Sequence, residues 1–125
     1  MKRTKTFTHT IKYSWDSETH THNFYLVADT YCNNDALAIV VMEVMPDGTE
    51  EQFDVITVNL PSDIIEEEKN LAYIDTNNCS WAEKMLKQHR FAKDTGICGY
   101  SGYCAYPLYE FNLDKFVEVA EEMCK

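Results

Sequence analysis

The chain has 125 residues, 45% of them hydrophobic and 13% aromatic, and a formal net charge of −10. That length reads as one domain, residues 1–125, able to bury a core without a disulfide or a metal, and the aromatic content excludes a disordered acidic tail. No Lys or Arg falls between Tyr13 and Glu68, a window that holds thirteen Asp and Glu, whereas Lys2, Arg3, Lys5 and Lys12 precede it without an acid. Such a field repels nucleic acid and anionic lipid and attracts basic surfaces, which argues against direct nucleic-acid or membrane binding.

In chain order, residues 7–15 alternate, with Phe7, Ile11, Tyr13 and Trp15 on one face and Thr8, Thr10 and Lys12 on the other. That period of two predicts a half-exposed strand. Residues 16–21 read as a polar turn and 23–32 as a second strand, followed by turn chemistry at Asn33, Asn34 and Asp35. The apolar run 36–45 predicts a central strand. Pro46, Asp47 and Gly48 turn the chain, and residues 52–60 return as its hairpin partner until Pro61 stops the ladder. Residues 62–69 form an acidic segment, and 71–75 a short fifth strand. Ser80 and Glu83 have the spacing of a capping box, which predicts a helix to about Arg90 burying Trp81, Met85 and Leu86. Residues 93–103 read as a glycine-rich loop and 105–111 as a short extended piece weakened by Pro107. Leu113, Phe116, Val117, Ala120 and Met123 follow the i, i+3, i+4, i+7 template and predict an amphipathic C-terminal helix capped by Asn112. The expected fold is α+β: an antiparallel β-meander of four to five strands with two helices, the C-terminal one packed on the sheet.

No stretch approaches the length of a membrane span, and the first ten residues lack the apolar core of a secretory signal, so the expected location is cytoplasmic. Five cysteines, Cys32, Cys79, Cys98, Cys104 and Cys124, are an odd number without a pairing framework and read as reduced thiols. Cys98 and Cys104 lack a zinc spacing, and a nucleophilic Cys98 would need His89 as its base. His20 and His22 share a strand face, but a polar turn explains them without a metal. Lys84, Lys87, Arg90 and Lys93 form a basic helix face suited to pairing with the sheet's acids. No metal site, cofactor or catalytic residue can be assigned, and the balance is against an enzyme.

Two constellations remain. Strand acids Asp29, Glu43, Glu50, Glu51 and Asp54, with Asp63, Glu66, Glu67 and Glu68, would form one negative surface that copies a nucleic-acid backbone and occupies a basic groove. Tyr100 and Tyr103 would anchor the same interface. Alternatively, Asp75, Asn77, Asn78 and Ser101 beside the glycine loop would bind a small ligand or nucleotide. Asp75 has an ordinary explanation as well, an Asx turn closing its own backbone.

Four ordered segments carry a resemblance: Asn33-Asn34-Asp35-Ala36-Leu37-Ala38-Ile39, Thr57-Val58-Asn59-Leu60, Ala72-Tyr73-Ile74-Asp75-Thr76-Asn77-Asn78, and Ser101 through Phe111. Together they resemble a family of small bacterial proteins known as a domain of unknown function, often carried by plasmids, conjugative elements and phages. The resemblance implies no catalytic residue. It implies a setting in which small acidic proteins antagonise restriction or CRISPR nucleases, and so a non-enzymatic inhibitor whose partner is a basic nucleic-acid-binding protein. An accessory subunit of a conjugation or replication assembly is a further alternative.

Overall fold

A computed structural model of the chain describes residues 2–12, 18–31, 36–60 and 70–118. The strands are β1 (Lys2–Arg3), β2 (Phe7–Lys12), β3 (Thr19–Thr30), β4 (Leu37–Val44), β5 (Glu50–Val55), β6 (Thr57–Val58), β7 (Leu71–Ile74), β8 (Ala92–Ser101), β9 (Cys104–Phe111) and β10 (Val117–Glu118). One α-helix, α1 (Ala82–Gln88), and a 3-10 turn (Leu113–Lys115) complete the described elements.

The long strand β3 organises the first sheet, of order β10-β1-β3-β4-β5, with β2 also paired to β3. All its pairings are antiparallel. β1 and β2 share one edge of β3, and buried Thr4 bridges the gap between them. Its N–H donates to Leu26 O (2.9 Å), and its Oγ1 accepts from Leu26 N (3.0 Å). The second sheet has the order β6-β7-β9-β8.

Ile56 joins the two sheets. Its N–H donates to Ile39 O of β4 (3.1 Å), and its carbonyl accepts from Asp75 N just past β7 (2.8 Å). The segment expected as one strand, 52–60, therefore changes sheets at this fully buried residue. Such corners are how strands pass between packed sheets. One core fills the space between the sheets: Phe24, Leu26, Ile39 and Val41 from the first, Ala72, Ile74, Tyr109 and Phe111 from the second, and Ala82, Met85 and Leu86 from α1. A smaller cluster, including Leu71, Tyr73, Tyr106 and Leu108, covers the other face of the second sheet.

The antiparallel β-rich fold with a helix agrees with the coarse α+β expectation. Four finer expectations do not hold. The region 16–21 is not wholly a turn, because β3 begins at Thr19 and carries His20 and His22 in its ladder. Residues 93–103 are largely strand and not loop: β8 pairs with β9 from Ala92↔Phe111 to Ser101↔Cys104. Pro107 pairs with Cys98 at the margin of the irregular stretch, where the register shifts between Asp94 and Cys98. The capping box does not form. Trp81 is the N-cap, without a side-chain bond, and Glu83 instead accepts from Tyr109 Oη at 2.5 Å.

The C-terminal helix is also absent over residues 113–118; the rest of that expectation lies outside the described residues. Asn112 does cap a turn, accepting from Asp114 N (3.2 Å), but the turn is 3-10. The chain then extends and β10 pairs with β1. The open edge of β1 offers backbone partners, and an extended chain buries Phe116 while leaving Val117 exposed.

Candidate functional site

The β8–β9 hairpin ends in the two-residue loop Gly102-Tyr103 between the paired Ser101 and Cys104. Gly102 has φ of +60° and Tyr103 does not share the left-handed region. This matches a II′ turn, which places glycine first because it has no Cβ to clash. Tyr103 is fully exposed beside it, Tyr100 is 74% exposed, and Ile97 is partly so. Gly99 has a different purpose: a Cβ there would lie 2.7 Å from Tyr73 Cε1 and 3.0 Å from Leu60 Cδ1. It is a packing glycine on a strand, not a ligand-approach glycine in a loop.

Asp75 is buried and closes the turn before α1. Its Oδ1 accepts from Asn78 N (3.2 Å) and its Oδ2 from Asn78 Nδ2 (3.0 Å). The local Asx-type role therefore accounts for both oxygens. Asn77 is exposed, and Ser101 stands at the exposed hairpin end. No hydrogen bond joins Asp75 or Asn78 to Ser101 among the described residues, so the four do not form one site.

The five strand acids do not form one negative surface either. Register places Glu43, Glu51 and Asp54 on the core-facing side of the first sheet, with Phe24 and Val41. Asp29 shares the opposite face with Tyr25. Glu50 meets Arg3 there at 3.8 Å, and the Arg3 guanidinium stacks 3.5 Å above the Tyr25 ring. Asp63, Glu66, Glu67 and Glu68 lie outside the described residues. Among described residues there are thirteen acids and nine basic residues, so most of the chain's net charge lies elsewhere in the sequence.

Sequence reasoning passed over a cluster on the core-facing side, at the end of the first sheet. His9 faces His22 across β2 and β3. His9 Nδ1 shares a hydrogen bond with His89 Nε2 at 3.1 Å. His22 Nδ1 meets Glu43 Oε2 at 2.6 Å, and its ring stacks on Phe24 with centroids 5.0 Å apart and planes 5° apart. His22 Nε2 is buried without a hydrogen-bond partner among the described residues. Only 3% of His9 is exposed. Burial, then His89, Lys84 and His22, push its pKa down to about 4. His89 is also lowered, by burial and then Lys115. The pair is therefore neutral at pH 7. The available signal was His9's place between Phe7 and Ile11 on the inward face of β2.

Beside this pair opens a cleft of about 470 Å³, lined by β2, by Phe53 and Asp54 of β5, and by Asn78, Ser80, Trp81 and Lys84 at the start of α1. The β5 bulge, where the pairing shifts between Val41 and Met42, turns both Phe53 and Asp54 toward it. Phe53 and Trp81 meet edge to face at 5.4 Å and 71°. Asp54 is committed locally: it accepts from Val55 N (2.8 Å) and from Cys79 Sγ (3.3 Å). Burial and that carboxylate push the Cys79 thiol up to about 12, which leaves it inert.

Cys98 is exposed on β8, while the His89 ring engages His9, so the two do not form a nucleophile and base. No cluster of three or more metal-ligating side chains occurs among the described residues. No described helix is long and apolar enough to cross a membrane. Among the described residues, the basic helix face does not pair broadly with the sheet: only Lys93 meets an acid, Glu110 at 3.6 Å.

The family model for a domain of unknown function, DUF4313, matches residues 26–125. The chain belongs to that family. No curated protein and no solved structure matches it. The DUF4313 match takes in the tyrosine hairpin, the Asp75 turn and α1, and begins after β2, so the cleft has one wall inside the matched region and one outside it.

Proposed function

We propose that this chain is a non-enzymatic inhibitor carried by a phage or mobile element. It binds a nucleic-acid-handling host defence protein, of anti-CRISPR or anti-restriction type, and blocks its basic groove in the cytoplasm. The supporting observation is the hairpin tip: Tyr100 and Tyr103 project into solvent from a paired, turn-locked ladder. Rigid aromatic side chains of this kind lose little entropy on docking and are favoured anchors of protein interfaces. The net charge of −10 would steer a basic partner toward them. In this reading the mimicry rests on Asp63, Glu66, Glu67 and Glu68.

The test is binding to host lysate on a column of the immobilised chain, eluted by a salt gradient. A basic nuclease released as salt rises is the expected result. Tyr100→Ala with Tyr103→Ala should abolish its retention, and reversing Glu66, Glu67 and Glu68 to Lys should flatten the salt dependence. Retention that neither variant changes would overturn the reading. A small-ligand function has one observation in its favour, the contribution of Asn78 to the cleft.

A further inference from the structure

The cleft beside His9 has the chemistry of a binding site that the inhibitor reading does not use. Its size lies within the range of small-molecule sites. A larger cleft, about 770 Å³ between Lys87, Arg90, Lys93 and residues 110–114, has a less selective lining. There the three cations face Asp94, Glu110 and Asp114, Lys93 already meets Glu110, and Phe111 is buried below the surface.

In the smaller cleft the cations stand differently. Lys12 and Lys84 are exposed, and no hydrogen bond or ion pair holds either ammonium among the described residues. The one lining carboxylate, Asp54, already accepts from Val55 N and Cys79 Sγ. Lys84 lines the cleft together with His9 and Lys12. The walls supply another half of the recognition: Phe53 and Trp81 form a half-buried aromatic corner that lines the cleft. Ser80 makes no cap bond, so its hydroxyl is not spent on the helix it precedes.

We propose that this cleft binds a phosphorylated planar compound of the nucleoside monophosphate class, its ring against Trp81 and Phe53 and its phosphate between Lys12 and Lys84. His9, the one histidine of the lining, is neutral at neutral pH, so the positive charge comes from the two lysines alone. The site is separate from the tyrosine hairpin, and its occupation does not depend on any protein partner.

The experiment is calorimetric titration of the full chain with adenosine 5′-monophosphate, with adenosine and with inorganic phosphate, at low salt. Adenosine monophosphate should bind with a Kd on the order of 10–100 µM, and each part alone at least roughly tenfold more weakly. Lys12→Ala and Lys84→Ala should each weaken binding about three- to tenfold, and Trp81→Phe should weaken both the monophosphate and adenosine. The lysines are exposed, so their variants should melt like the parent chain. No heat with adenosine monophosphate overturns the proposal. So does an affinity no better than that of inorganic phosphate, or an affinity that both lysine variants retain.

Discussion

The two ends of this molecule use aromatic residues in opposite ways. At the cleft end of the first sheet, Phe7, Phe24, Phe53, Trp81 and the three histidines pack ring against ring. At the hairpin end, Tyr100 and Tyr103 touch little of their own chain. The first arrangement invests aromatic area in folding and ties it to protonation. The second leaves that area for a partner. A change at the first end should therefore appear in stability, and a change at the second in binding.

The sharpest contrast is Phe24→Ala. Phe24 is fully buried and contacts His22, Phe53 and Trp81. Its truncation should cost about 3–5 kcal/mol in urea unfolding. A loss below 1 kcal/mol would mean that the aromatic end is not part of the cooperative core.

Gly99→Ala tests the hairpin from within. The added methyl meets the buried Tyr73 ring, which has little freedom to retreat, so the expected loss is about 1–3 kcal/mol. An unchanged denaturation midpoint would restore the loop reading of this glycine.

Acidification separates the two ends without mutation. His9 stands at about 4 in the folded chain against an ordinary 6.5, so between those values the unfolded state binds more protons. Stability should be complete above that ordinary value and fall as pH drops toward the folded one. Because the ring borders an open cleft, the loss from His9 should be about 1–2 kcal/mol, less than the full shift implies. His9→Phe should flatten this window in pH-dependent melts; a parent-like acid profile in that variant would assign the effect elsewhere.

The smallest effect belongs to the hairpin tip. Tyr103→Ala should change stability by no more than about 0.5 kcal/mol. A larger loss would show that Tyr103 is held by the fold and is not a free anchor.

Several local features were legible in the residues. The alternation of residues 7–12 gives the strand and its inward face; Pro46, Asp47 and Gly48 give the turn, in which Asp47 Oδ1 accepts from Thr49 N at 3.0 Å; and Asp75 takes the Asx role its position allows. The helix at 82–88 buries Met85 and Leu86 as its spacing requires. The errors came where a long-range partner outweighed a local pattern. Val117 fits a helical stripe, but the free edge of β1 recruits it into a strand. Glycines at 96 and 99 resemble a loop until β9 supplies the ladder.

Composition and period determined, without any coordinates, that the chain folds around antiparallel strands, which face of residues 7–12 turns inward, and that its surroundings must tolerate a charge of −10. These follow from local sterics and from burial of apolar residues, both of which act along the chain. The cleft was decided by tertiary structure alone. His9 and His89 are 80 positions apart, and the wall residues come from β2, β5 and the start of α1. Their meeting depends on sheet register, a one-residue bulge and a strand that changes sheets, none of which a local pattern specifies.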